Sequence, residues 1–124
     1  MSPEPSPPSP AAAPAAQDAL LALRQAMRDF SAARDWEQFH TPKNLAMALI
    51  GEAAEVLEHF QWLTPAQSQH LPPAVHQEVA HELADVLLYL VRLADVLGID
   101  LAAAAREKMR LNAHKYPAGP MAKP

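Results

Sequence analysis

The stretch Leu45 to Trp62, LAMALIGEAAEVLEHFQW, constrains the rest of the chain most. Read at about 100° per residue it is an amphipathic helix with Leu45, Leu49, Val56 and Phe60 on one side. Glu52 falls within that apolar stripe, and Glu55 lies at its edge one turn away. Burying a lone ionised carboxylate costs about several kcal/mol, so a helix that places one there needs a cation or another partner for it. A second helix repeats the pattern: Val79, Leu83, Val86, Leu90 and Leu97 form a stripe flanked by Glu82 and Asp85. Two i, i+3 carboxylate pairs, each bordering an apolar seam, call for a shared divalent metal. Acidic pairs at this spacing also occur on solvated helix faces. The burial pattern is what argues for ligation here. An oxygen-only donor set suits Mg²⁺ or Mn²⁺ rather than zinc.

A chain of 124 residues is one domain on length alone. Its net charge of −4 argues against a general nucleic-acid binder, which needs a basic surface to neutralise phosphate. A small anionic molecule remains compatible with it wherever a few Lys and Arg converge. With no cysteine there is no disulfide, no thiolate chemistry and no Cys-based zinc site. The opening MSPEPSPPSP has neither the basic and apolar regions of a signal peptide nor the Arg of an import sequence. No apolar run is long enough to span a membrane. The expectation is a cytoplasmic protein.

Residues 1–16 are rich in Pro, Ser and Ala and read as a disordered tail, as do residues 117–124. The domain proper is expected over residues 17–116. A first helix is predicted from about Asp18, as N-cap, to Arg34, with Leu20, Leu23, Met27 and Phe30 facing inward. The connector Asp35 to His40 carries Trp36 and Phe39. Thr41 caps a second helix, Pro42 stands at its first position, and the helix is expected to end near Trp62. Leu63 to Leu71 reads as a polar connector. Pro72-Pro73 opens a third helix that stops before Gly98, a residue suited to a left-handed C-cap. Asp100 caps a fourth, LAAAAREKMRLNAHK, closed by Tyr116-Pro117. Nothing alternates with period two, so the fold class is all-α, a four-helix bundle. The third helix is apolar nearly all round, since Leu88 and Val91 lie off its main stripe. That pattern asks for a second partner surface and predicts a homo-oligomer packed across the second and third helices.

Other residues bear on the chemistry. Glu78-x-x-His81 has the form used in di-iron bundles, but His81 projects away from the Glu82 edge, and Glu37 to His40 precedes its helix. His59, one turn beyond Glu55, reads as an ordinary partner of Glu55, and the other histidines form no constellation. Glu58 and Asp95 read as solvated. Lys108, Asn112 and Lys115, spaced i, i+4, i+7, share a face with Leu101 and Ala105. A solvated basic helix end and an inward set awaiting an anion are both open readings of that spacing. Metal on one side with amines on the other is the arrangement a polyphosphate needs. Trp36, Phe39 and Trp62 are either stacking surface for a base or core filler.

In order along the chain, several blocks then resemble a known family. Glu52-x-x-Glu55, a spacer of 26 residues and Glu82-x-x-Asp85 look like the metal-binding signature of the MazG-like all-α nucleoside triphosphate pyrophosphohydrolases. Arg34-Asp-Trp-Glu-Gln-Phe-His40, the run Gly51-Glu52 to Phe60-Gln61-Trp62, and Glu82-Leu-x-Asp-Val-Leu-x-Tyr-Leu-Val91 resemble its dCTP pyrophosphatase branch. Lys108-Met and Tyr116-Pro117 continue the match. It covers about residues 18 to 117. The resemblance implies a four-helix MazG-like bundle and a Mg²⁺-dependent enzyme that cleaves a nucleoside triphosphate, dCTP or a modified dCTP favoured, to monophosphate and pyrophosphate. It implies Glu52, Glu55, Glu82 and Asp85 as metal ligands, with Glu52 or Glu55 handling the attacking water. It places Trp36, Trp62 and Tyr89 in the nucleoside pocket and Lys108, Asn112 and Lys115 on the phosphate side. It also implies a dimer or a tetramer of paired dimers.

Two positions depart from the family pattern. Where many members carry an additional acid this chain has Gly51, as the dCTP branch does, and Met27 stands where a His is expected in the animal relatives. The competing readings are a non-catalytic helical module that senses nucleotides or acts as a scaffold, and a related pyrophosphohydrolase acting on another substrate such as dUTP.

Overall fold

The computed structural model describes residues 16–119 and, in isolation, Pro3. Of the tails expected over residues 1–16 and 117–124, residues 1–2, 4–15 and 120–124 lie outside the described residues, and Ala16 is the first residue of a helix rather than part of a tail. Among the described residues there is no strand, and the order is α1 (Ala16–Ala33), a 3₁₀ turn (Glu37–Phe39), α2 (Pro42–Glu58), α3 (Pro65–Ser68), α4 (Pro73–Val96) and α5 (Leu101–Lys115). The all-α expectation therefore holds, with different boundaries. Helix α1 begins at Ala16, two residues before the expected cap Asp18, since Ala and Gln are good helix formers.

The termini show why these segments stop where they do. At the end of α1, Trp36 N–H reaches Ser31 C=O at 2.9 Å and Asp35 N–H reaches Ala32 C=O at 3.2 Å. This is the doubled bond pattern of a Schellman cap, and Asp35 takes the left-handed position with φ 55°. Gln38 Nε2 donates to the Asp35 carbonyl at 3.1 Å and holds the turn. The same cap closes α4, where Gly98 at φ 68° lets Ile99 N–H meet Ala94 C=O at 2.8 Å. Thr41 accepts from Asn44 N–H at 3.2 Å, with Pro42 at the start of α2. Asp100 accepts from Ala103 N–H at 3.0 Å.

Two boundaries differ from the expectation. Helix α2 ends at Glu58, and residues His59 to Leu63 continue as tight turns that bond Phe60 and Gln61 N–H to Leu57 C=O, both at 2.9 Å. The chain must be extended at Thr64, because the residue before a proline is excluded from helical geometry. The expected connector then holds the short α3, whose signal was a Thr64-Pro65-x-Gln67 capping box: Thr64 N–H donates to Gln67 Oε1 at 2.9 Å, and Gln67 N–H to Thr64 Oγ1 at 3.2 Å.

Helix α4 is the centre of the molecule. It packs along α2 on one side and α1 on another, while α5 packs more lightly, against α1. The core is Leu45 from α2 with Val79, Val91 and Ala94 from α4. The apolar second face of α4 is thus partly answered by α1 within one protomer, through Val91 and Ala94. Helices α2 and α4 are antiparallel: His40, before α2, meets Arg92 near the end of α4, and His59, after α2, meets Glu82 nearer its start. No described helix is long and apolar enough to cross a membrane.

Candidate functional site

The antiparallel pairing of α2 and α4 brings the two acidic pairs to one seam. Glu52 and Glu82 are half-buried, and Glu55 and Asp85 are exposed at its edge. Glu52 Oε2 and Glu82 Oε2 are both buried without a hydrogen-bond donor. Such an oxygen costs about 1–3 kcal/mol or more when left unpaired, so a donor set of this kind is incomplete by itself. Burial pushes the Glu52 carboxyl above its ordinary range, helped by a carboxyl–carboxyl contact with Glu55 and by the negative charges of Glu55, Asp85 and Glu82. All four acids therefore share one electrostatic environment. As they stand, no three His, Asp or Glu side chains among the described residues converge into a closed metal cage. The oxygen-only donors along this seam suit a hard divalent cation by their chemistry.

His59 is not the partner of Glu55. Its Nε2 lies 2.5 Å from Glu82 Oε2, off the hydrogen-bond axis, and its Nδ1 lies 3.9 Å from Glu78. Sequence spacing favours partners on the same helix, whereas the seam offers a closer carboxylate from α4. Glu58 is exposed, as expected. Asp95, expected to be solvated, is half-buried with its side chain 8% exposed, and takes Arg28 in a two-bond pair, with Nε at 2.7 Å and Nη2 at 2.5 Å. Arg28 holds the Asp95 carboxyl below its ordinary value despite burial. Nothing within α4 announces this pair, because its partner lies 67 residues away.

The aromatic residues fall at two ends. Trp36 is edge-on to Phe30, with centroids 5.5 Å apart, and to His40 at 6.3 Å. It sits beside the start of α2. Trp62 follows the far end of α2 and is 86% exposed, so it is not core filler in the protomer. A helix of 17 residues is about 25 Å long, so the two indoles of one protomer do not face a common base. Tyr89 is half-buried on α4, two turns beyond Glu82. Lys108 and Lys115 are exposed and Asn112 is half-buried, on a helix that buries no residue. The inward-facing cationic set is therefore not formed within one protomer.

The class that this architecture defines is an all-α protein with an acidic seam between two antiparallel helices. The MazG-like family model matches residues 49–122. The chain belongs to the MazG-like family. It is 45% identical over 98 residues to human (Homo sapiens) dCTP pyrophosphatase 1, covering 77% of this chain and 58% of that protein. It is 44% identical over 97 residues to the Mus musculus dCTP pyrophosphatase 1, covering 77% and 57%. The chain spans a little over half the length of these curated relatives. A crystal structure of a pyrophosphatase from Archaeoglobus fulgidus DSM 4304 superposes with a TM-score of 0.71 at 37% identity, covering 89% of this chain and all of that one.

Proposed function

We propose that this protein is a divalent-metal-dependent nucleoside triphosphate pyrophosphohydrolase with dCTP, or a modified dCTP, as preferred substrate. The observation that carries the reading is the convergence of Glu52, Glu55, Glu82 and Asp85 on one seam of facing helices, with Glu52 Oε2 buried and without a hydrogen-bond donor. The names of its relatives, dCTP pyrophosphatase 1, support the substrate. Glu52, Glu55, Glu82 and Asp85 would hold Mg²⁺ or Mn²⁺, which supplies screening of the triphosphate and acidification of a bound water. Glu52 and Glu55 are the candidates to orient the attacking water and accept its proton. Lys108, Asn112 and Lys115 are assigned to the phosphates and Trp36, Trp62 and Tyr89 to the nucleoside.

That assignment needs a second copy of the chain, since Trp36 and Trp62 stand at opposite ends of α2. Met47, Ile50 and Leu57 of α2 and Leu83 and Leu87 of α4 are exposed apolar residues on the paired helices, a surface suited to a partner subunit. We assign a homodimer, or a tetramer of paired dimers, on this basis. The test is pyrophosphate release with each deoxynucleoside triphosphate in Mg²⁺, alongside light scattering. The expected result is dCTP turnover by an oligomer; no turnover of any triphosphate would leave a non-catalytic helical module.

A further inference from the structure

Arg92 is a buried arginine, 7% exposed, at a position where α4 passes the start of α2. Its Nε–H donates to His40 Nδ1 at 3.0 Å, and its Nη1 reaches Asp95 Oδ2 at 3.4 Å. Asp95 is itself gripped by Arg28 from α1. Arginine offers donors only, so the ring nitrogen it meets must be a bare acceptor. A neutral His40 then carries its one proton on Nε2. A protonated ring would set an Nδ1–H against the Arg92 N–H and put two positive charges in contact.

We propose that Arg92 is a positioning residue that fixes the tautomer and orientation of His40 and, through it, the Trp36 wall assigned to the nucleoside. The proposal rests on the pyrophosphohydrolase reading above. His40 stands edge-on to Trp36, and Trp36 stands edge-on to Phe30, so the three rings form one wall. One end of that wall is tied to α1 through the Trp36 N–H on Ser31 C=O at 2.9 Å. The other end is tied to α4 where Arg92 meets the His40 ring. The result is a neutral ring with an N–H donor at Nε2, next to an indole, kept in place from behind by a guanidinium that also reaches Asp95. Second-sphere partners of a histidine commonly set which nitrogen is protonated in this way.

The groups that face His40 are Arg92 from α4 and Glu37 from the 3₁₀ turn, with Asp95, Arg28 and Arg24 behind Arg92. Burial and the charge of Arg92 hold the His40 ring below its ordinary pKa, against a weaker upward pull from Glu37. The ring therefore keeps its neutral form, and the donor its place, to lower pH than an ordinary imidazole would.

The experiment is two-bond ¹H–¹⁵N correlation of the histidine rings from pH 5 to 8, with His40 assigned by His40→Gln, in parallel with dCTP kinetics. Wild type should show the Nε2–H tautomer of His40 and no protonation at the ordinary imidazole pKa. Arg92→Met keeps length and apolar packing and leaves Asp95 its Arg28 partner. It should give mixed tautomers, an upward-shifted titration and a KM raised about three- to tenfold, the worth of one hydrogen bond, with kcat little changed. Arg92→Lys, which restores a charged donor, should recover part of the KM and guards against a folding defect in the Met variant. An Nδ1–H tautomer in wild type, or an unchanged His40 pattern in both variants, would overturn the proposal. So would a changed pattern with the KM of every triphosphate unmoved. A wild-type control that turns over no triphosphate overturns the underlying reading instead, and is recognised from that control alone.

Discussion

Glu52 on α2 and Glu82 on α4 stand within reach of each other's charge across one helix seam, each with an oxygen buried and undonated. Packing brings them together, since α2 and α4 share the main interface of the molecule. Besides burial, the negative charge of Glu82 disfavours an ionised Glu52 in this seam. The first two predictions follow from that conflict.

Glu82→Gln keeps the volume and polarity of the side chain and removes the charge that attracts a cation. Pyrophosphate release should fall by about two orders of magnitude or more, on the scale of losing a main electrostatic element of a site. Far-UV helicity should be preserved. In wild type, Mg²⁺ at about a hundred times its Kd should add about 2.7 kcal/mol of stability, read as a rise in Tm. The variant should show a much smaller rise. Equal Mg²⁺ shifts in the two proteins would remove Glu82 from the ligand set.

The raised carboxyl of Glu52 has a defined sign in stability. The folded state holds its proton more tightly than the unfolded chain does, so this group favours folding below the ordinary glutamate pKa. That contribution is lost as pH rises through the higher folded value. Metal-free Glu52→Gln should therefore melt above wild type at neutral pH, and the difference should vanish toward acid. Asp95 acts in the opposite sense, because Arg28 lowers its folded pKa: its contribution is present above the ordinary aspartate value and lost as pH falls through the folded one. Asp95→Asn should accordingly cost stability at neutral pH and little in strong acid. Melting curves across pH in EDTA separate the two slopes.

Much of the architecture was legible because it is local. Thr41-Pro42, Gly98 and Asp100 are capping signals that act within a few residues, and each appears where the chain said it would. Glu52 was legible because a charge inside an apolar stripe breaks the helical pattern, and Glu82 because it borders one at the same spacing from a second acid. Partners across helices were not. Asp95 looked solvated because its charge lies off the main stripe of α4, and only α1 packing brings Arg28 to it. His59 meets Glu82 and not Glu55 for the same reason. The Arg92–His40 contact joins residues 52 apart, and neither residue departs from a pattern that sequence periodicity reports.

Gly51 offers a check on α2 itself. It lies within that helix, it is exposed, and a Cβ built on it meets nothing within 4 Å. Gly51→Ala should then stabilise the protein by about 0.4–1 kcal/mol through the lower entropy of the unfolded chain. Activity should be unaffected, because no acid is added to or taken from the seam. A destabilised variant would mean that this position is covered, by a partner subunit in the oligomer, and sedimentation of the same variant would show the change in assembly.

Trp62 distinguishes a binding indole from a structural one. A tryptophan in a core costs about 3–5 kcal/mol when cut to alanine. At 86% exposed, Trp62 has little packing to lose in the protomer, so Trp62→Ala should leave the Tm nearly unchanged. If it stacks on a base, the loss should instead appear in affinity, by about 1–3 kcal/mol, a factor of about ten to a hundred. Stacking barely distinguishes bases, so all triphosphates should weaken together and keep their rank order. The measurement is a melt of the variant followed by titration with each triphosphate in Ca²⁺, chosen to suppress turnover. Normal dCTP affinity with an unchanged Tm would take Trp62 out of the site. A large fall in Tm with intact affinity would place its indole in a subunit interface instead.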